Sequence, residues 1–278
     1  MTQEWLREKN QDRKKRERNS SSVNVNIFIQ FMSNLTTKEL LEAGVHFGHL
    51  TRKWNPKMAP FILMEENGIH LIDLNKTISK LDDAKSAIKN IVKSGKKVLF
   101  VATKKQAKEL VAEEAKRVNM PFVTERWLGG MLTNFATVRK SIKKMQNFEK
   151  MSQDGTYLNI SKRERLMIDR EKIKLEKLLG GIADLNRLPS ALFIVDSKRE
   201  HLAVSEAQKL NIPIFAIVDT NSDPSKVDYP IPANDDAAKS VFLITREFSN
   251  AIIEGMQERK DKADKEEVEV KTDVAETI

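Results

Sequence analysis

Apolar positions along the chain follow two rhythms, and the places where one yields to the other mark its organisation. From Phe61 to Leu74, FILMEENGIHLIDL sets two short apolar runs either side of Glu65 to Gly68, which predicts a β-hairpin turning at Asn67-Gly68. Ile78, Leu81, Ala84, Ile88 and Ile91 then recur at three- and four-residue spacing, predicting an amphipathic helix closed by Gly95. KVLFVA (97–102) reads as a buried strand, Thr103 can cap a helix over KKQAKELVAEEAKRV, and MPFVTE from Met120 reads as another short strand, so this stretch is a βαβ unit. The strand rhythm resumes at ALFIVD (191–196), IPIFAIVD (212–219) and YPIP (229–232), with a helix around HLAVSEAQKL and a last helix from Asp235 through Met256. Near-continuous apolar strands alternating with helices imply a parallel sheet covered on both faces, an α/β architecture.

Between the two halves of that pattern lies an insertion with a helical rhythm only. Met131, Phe135, Val138, Ile142 and Met145 alternate spacings of four and three, Gln153-Asp154-Gly155 turns the chain, and Ser161 with Glu164 forms a capping-box start. The second helix carries Leu166, Ile173, Leu175, Leu178 and Ile182 as its expected seam. The pattern predicts an antiparallel helical hairpin projecting from the body, with Arg139, Lys140, Lys143, Lys144, Lys162, Arg163, Arg165, Arg170, Lys172 and Lys174 on its exposed faces.

The expected division is therefore a basic N-terminal extension over 1–31, a body over 32–130 and 183–258, a hairpin insertion over 131–182 and an acidic tail over 259–278. KNQDRKKRERNSSS is too polar and charged to bury a core, so the extension and the tail are both expected to be disordered. Thr36 or Thr37 can cap a short helix ending near Gly44, and Met32 is an alternative start for the chain.

Charge sharpens this picture. The formal net charge is +8, but residues 32–182 carry 29 basic and 17 acidic side chains, whereas residues 183–278 carry 12 and 19. That asymmetry fits a polyanion bound to one face and an acidic face turned elsewhere. Cysteine is absent, which excludes disulfide scaffolds, thiolate zinc sites and cysteine nucleophiles. VNVNIFIQFM (23–32) lacks a cleavage site and is too short to span a bilayer, so the chain is expected to be cytoplasmic, with no membrane partner.

Enzyme chemistry finds little purchase. After KVLFVA the turn is Thr103-Lys104-Lys105, without G-x-G-x-x-G or G-x-x-x-x-G-K-[ST], so the glycines that cradle a phosphate are missing where this fold would need them. Gly129-Gly130 reads as a tight bend before the hairpin. Asp219-x-Asn221-x-Asp223 resembles a calcium loop, but Pro224 and Pro230 stand where that loop needs glycine and a bidentate glutamate. His46 and His49 lie three apart between Gly44 and Gly48 with no third ligand nearby, so loop packing is the preferred reading and no metal or other cofactor is expected. A nucleotide-dependent α/β enzyme with a regulatory helical arm stays as the alternative.

Cations beside planar rings carry more. Arg52, Lys53, Trp54 and Lys57 flank a proline turn, and Arg126-Trp127 precedes the glycine pair. Cations neutralise phosphates, and exposed rings can stack on unpaired bases, although either tryptophan could instead be a core residue.

AGVHFGHLTRKWNPKMAPFI, ERWLGGMLTNFATVRKSIKKM and IPIFAIVDTNSDPSKVDYPIPANDDA are similar to the bacterial small-subunit ribosomal protein S-two family, in order from Thr36 to Gly255. The resemblance implies a Rossmann-like (flavodoxin-like) three-layer parallel sheet with an inserted antiparallel coiled-coil hairpin, and a ribosome-bound structural protein without catalytic residues or small-molecule substrate. It also implies contact with small-subunit ribosomal RNA and nearness to ribosomal protein S-one, which helps recruit messenger RNA. The expected RNA-binding residues are Arg52, Lys53, Trp54, Lys57, Arg126, Trp127, Arg139, Lys140, Lys143, Lys144, Lys162 and Arg163. Nothing in the family resembles residues 1–31.

Overall fold

The computed structural model describes residues 35–153 and 161–276, with side chains over 35–151 and 161–262. The expected extension over 1–31, and Asp154 and Gly155 of the expected hairpin turn, lie outside the described residues. The chain divides into two units, 1–39 and 40–278. Of the first, residues 35–39 are described, and there Thr36 and Glu39 exchange hydrogen bonds: Thr36 N–H donates to Glu39 Oε2 at 2.9 Å and Glu39 N–H to Thr36 Oγ1 at 3.3 Å. This reciprocal cap starts α1 (Thr37–Glu42), with Thr36 as the capping residue.

The second unit opens with a small antiparallel sheet of β1 (Phe47–Leu50), β2 (Ile62–Glu66) and β3 (Ile69–Ile72), in the order β1-β3-β2. The β2–β3 turn is Asn67-Gly68, both at positive φ (52° and 75°), the conformation a two-residue hairpin needs to match strand twist. After α2 (Leu74–Lys93) come β4 (Val98–Val101), α3 (Lys108–Arg117) and β5 (Phe122–Val123). Beyond the inserted hairpin follow β6 (Ala191–Val195), α6 (His201–Lys209), β7 (Ile214–Val218), β8 (Tyr229–Pro232) and α7 (Ala238–Glu276). Strands β5-β4-β6-β7-β8 form one sheet, parallel at every pairing. Numbered from its own first strand this order is 2-1-3-4-5, the flavodoxin-like doubly wound arrangement.

Alternate residues of the buried strands serve opposite faces, which is why the strands read as continuous apolar runs. Leu99, Val101, Leu192, Ile194, Ile214 and Ala216 join Ala203, Val204 and Ala207 of α6 in one core cluster. On the other face, Phe100, Phe193 and Phe215 surround Phe248 of α7, with Phe193 and Phe248 stacked at 4.4 Å between ring centroids. Lys85 and Lys89 of α2 bond Glu247 and Glu254 of α7 at 3.0 and 3.3 Å, tying the two long helices together.

The inserted hairpin consists of α4 (Phe135–Gln153) and α5 (Lys162–Leu179). Ser161 caps α5, accepting the Glu164 N–H at 3.3 Å, and Lys144 of α4 bonds Glu171 of α5. Met131, Ile142, Met145 and Ile182 are buried as the spacing predicts, and Leu175 and Leu178 pack against the same core. Leu166 and Ile173 are not in the seam: they are 51 % and 64 % exposed. At 3.6 residues per turn they fall roughly opposite Leu175, and the partly buried Ile168 and Lys172 and the buried Leu179 take the inner face instead.

The last helix differs from expectation as well. It continues without a break past Arg259 to Glu276, where a disordered tail was expected. The segment from Asp261 to Glu276 contains neither glycine nor proline, and its acidic and basic residues recur at four-residue spacing, as at Lys262 and Glu266 or Glu267 and Lys271. Such a sequence propagates a helix already started on the core. Among the described residues, no helix is long and apolar enough to cross a membrane.

Candidate functional site

Two features converge at the carboxyl ends of the parallel strands: the Arg52–Lys57 loop and a cluster of ionisable side chains. The loop and the strand before it, β1, are held by hydrogen bonds to Thr220, just beyond the end of β7. Asn55 N–H donates to the Thr220 carbonyl at 2.8 Å and His49 N–H to Thr220 Oγ1 at 2.9 Å. A Cβ at Gly48 would stand 2.6 Å from the Thr220 methyl, so only glycine lets β1 come this close. Trp54 lies on the rim, 39 % exposed, with its ring 5.0 Å from that of His70. It borders an open cleft of about 510 Å³ also lined by Lys53, Lys198, His201 and Lys226.

Beside this loop, His49 Nδ1 stands 3.0 Å from Asp219 Oδ2, and its Nε2 stands 3.4 Å from Asp236 Oδ2. Lys104, from the turn after β4, bonds Asp235 Oδ1 at 2.8 Å and also pairs with Asp236. The hydrogen bond to Asp219 raises the His49 pKa above its usual value; burial opposes this and the charges of Asp219, Asp235 and Asp236 reinforce it. Burial, with the negative charges of Asp219 and Asp196, pushes the Asp235 carboxyl up to about 7 against the pull of Lys104. The donor atoms of His49, Asp219 and Asp235 lie within 4.8 Å of one another, and among the described residues Asp235 Oδ2 is buried without a hydrogen-bond partner. These residues could hold a divalent cation.

The third donor that the histidine spacing lacked thus comes from β7 and β8, some 170 residues away, and His46 takes no part in it. Burial lowers the His46 pKa, and its Nδ1 has no hydrogen-bond partner among the described residues. The aspartates at strand ends in DTNSD and ANDDA were the available signal, but nothing local pairs them with His49 or with Lys104. Asp223 behaves as a turn residue: it caps the turn of Pro224–Lys226 by accepting the Ser225 N–H at 3.0 Å.

The crevice where such a sheet would take a nucleotide lies between the ends of β4 and β6, where the strand order reverses. Here the turns that follow the two strands are bonded to each other. Glu200 accepts the Thr103 N–H at 3.1 Å and its hydroxyl, Arg199 Nε donates to Thr103 Oγ1 at 3.0 Å, and Asp196 turns at φ 64° to accept the N–H groups of Lys198 and Arg199.

The expected RNA-facing residues divide into two groups. Arg52, Lys53, Arg126, Lys140, Lys143, Lys162 and Arg163 are exposed and make no ion pair among the described residues. The other three cations are engaged, while Trp54 stays on the rim. Lys57 Nζ bonds Asp223 at 2.9 Å and Ser225 at 2.8 Å, Arg139 Nη1 bonds the Asn186 carbonyl at 2.9 Å, and Lys144 bonds Glu171. Trp127 is corrected outright: it is 5 % exposed, its Nε1 donates to Glu206 at 3.1 Å, and it packs in the core, leaving no ring face for a base. A tryptophan between a charged residue and a glycine pair carries no local sign of which side it faces. Only the buried carboxylate on α6 draws it inward.

A family model described as Ribosomal protein S2 matches residues 40–255, which include the loop, the hairpin and the ionisable cluster. Curated relatives named small ribosomal subunit protein uS2 are similar over most of their length. That of Cytophaga hutchinsonii is 66 % identical over 227 residues, covering 82 % of this chain and 89 % of the relative. The Phocaeicola vulgatus relative is 64 % identical over 236 residues (84 % and 85 %), and the Flavobacterium johnsoniae relative 62 % over 227 (82 % and 89 %). With the strand order, the inserted hairpin and this match in agreement, the chain belongs to the ribosomal protein S2 family.

Proposed function

We propose that this protein docks on small-subunit ribosomal RNA through the phosphate backbone, using Arg52, Lys53 and Arg126 at the edge of the body and Lys140, Lys143, Lys162 and Arg163 on the arm. As a member of its family it is a structural constituent of the small ribosomal subunit and not an enzyme. It resides on cytoplasmic ribosomes in this reading. The observation that carries the docking surface is that these cations are exposed and make no ion pair among the described residues, so their charge is available to an external anion. Trp54 remains on that edge as a partly exposed ring that can stack on an unpaired base. Contact with ribosomal protein S-one belongs to the same reading and rests on family resemblance alone; co-sedimentation of purified S-one with the isolated chain tests it.

The arm is tested by replacing Lys140, Lys143, Lys162 and Arg163 with glutamate. Lys162 and Arg163 occupy the first turn of α5, where negative charge is favourable, so the variant should keep its helix. The expected result is wild-type thermal stability with weakened incorporation into the small subunit and a flatter dependence of RNA affinity on salt. Normal incorporation would remove the arm from the docking surface.

A further inference from the structure

At the opposite, amino-terminal edge of the parallel sheet a second group of cations converges, none of them singled out by the sequence. The turn before β4 carries Lys96 and Lys97, and the loop before β6 carries Arg187; these three line a cleft of about 560 Å³ between the two segments. Arg259 arrives from α7. Gly95 has φ +76°, and a Cβ there would lie 2.6 Å from Arg259 Nη1, so the guanidinium rests directly on the glycine backbone beside Lys96. All four side chains are exposed, and among the described residues none makes an ion pair.

The acids of the neighbourhood are already committed. Glu258 is held by Lys89 and Lys93, and Glu254 by Lys89. Among the described residues Asp184 is the one carboxylate lining the cleft, so the local balance there is positive. The cleft continues, through shared Lys96, Leu188 and Ser190, into a groove of about 490 Å³ along the same edge. It also meets the arm: Arg139 of α4 bonds the carbonyl of Asn186, next to Arg187.

We propose that this edge is a second RNA-backbone site, in which Lys96, Lys97, Arg187 and Arg259 neutralise consecutive phosphates of a strand that runs on toward the arm. Cations supplied by three separate segments along an open groove suit a sugar-phosphate chain, whose charges repeat at regular intervals and need no fixed register. An acidic peptide docks through a strand edge or a helix-shaped groove that sets its register, which exposed cations on loops and a helix do not themselves supply. The inference rests on the RNA-docking reading above and adds a separate face to it.

The test uses the full chain and small-subunit ribosomal RNA in filter binding across a potassium chloride series. It compares wild type, Lys96→Glu/Lys97→Glu/Arg187→Glu, and the arm variant described above. Loss of about three phosphate contacts should lower the slope of log affinity against log salt by roughly 2 to 3 and affinity about tenfold or more near physiological salt. If the triple variant binds as wild type while the arm variant is impaired, this site is overturned and the docking reading stands. If neither variant is impaired, both are overturned. In wild-type protein, lysine acetylation by N-hydroxysuccinimide acetate gives a readout free of folding effects: Lys96 and Lys97 should lose reactivity when RNA is bound, and unchanged reactivity overturns the site.

Discussion

The indole N–H of Trp127 donates to the Glu206 carboxylate at 3.1 Å, and that same carboxylate holds the whole bend from which the arm departs. Its Oε1 also accepts the Gly130 N–H at 2.7 Å, and its Oε2 accepts the N–H groups of Leu132 and Thr133 at 2.9 and 3.1 Å and the Thr133 hydroxyl at 3.2 Å. A buried anion on α6 therefore satisfies donors that would otherwise be stranded at the root of α4. Glu206→Ala is expected to destabilise the body by about 3 kcal/mol, a fall of roughly 6 to 12 °C in melting temperature, since several buried donors lose a charged acceptor together. Differential scanning calorimetry measures this; a shift within a degree of wild type would show that water replaces the carboxylate without loss.

The same group has a defined pH signature. Burial raises the Glu206 pKa, but the hydrogen bonds from Leu132, Thr133, Trp127 and Gly130 outweigh it and hold the carboxyl below its ordinary value. A depressed folded-state pKa contributes stability that is present above the unfolded value of about 4.3 and is lost as pH falls through the folded value. Glu206→Gln, which keeps the shape but turns an amide toward one set of donors, should therefore be clearly less stable than wild type near pH 6. The gap should narrow below about pH 4. Urea midpoints at the two pH values decide it, and a constant gap would assign the loss to shape instead of charge.

Trp54 and Trp127 should respond differently to RNA. Trp54 is 39 % exposed on the cation-bearing loop and Trp127 is 5 % exposed in the core. In a Trp5→Phe background, which removes the third tryptophan, addition of small-subunit ribosomal RNA should quench fluorescence in a Trp127→Phe protein and have little effect on a Trp54→Phe protein. Quenching that survives loss of Trp54 would rule out stacking on that ring.

Divalent cation binding at the strand ends is open to a direct measurement. His49, Asp219 and Asp235 present donors within 4.8 Å of one another. Zinc chloride at about one hundred times its dissociation constant should add about 2.7 kcal/mol to stability, and His49→Gln should abolish the gain. No change in melting temperature on titration would leave His49 and Lys104 as the resident counterions of the aspartates.

The local rules of the chain were readable in advance wherever neighbours in sequence settle the structure. Asn67-Gly68 makes its turn because only that pair of backbone conformations matches the strands, and Ser161 starts α5 because its side chain reaches its own helix. The strand runs were legible because burial on both faces requires apolar residues at every position. By itself, then, the sequence determined the α/β order, the inserted arm and the family. Tertiary structure alone decided which charges are spent and which are free. Lys57 is held by Asp223, Trp127 by Glu206, His49 by Asp219 and Lys104 by Asp235, each pair joined across 79 to 170 residues. Coulomb forces and hydrogen bonds depend on distance in space, and separation along the chain says nothing of that distance until the sheet has brought its strand ends together.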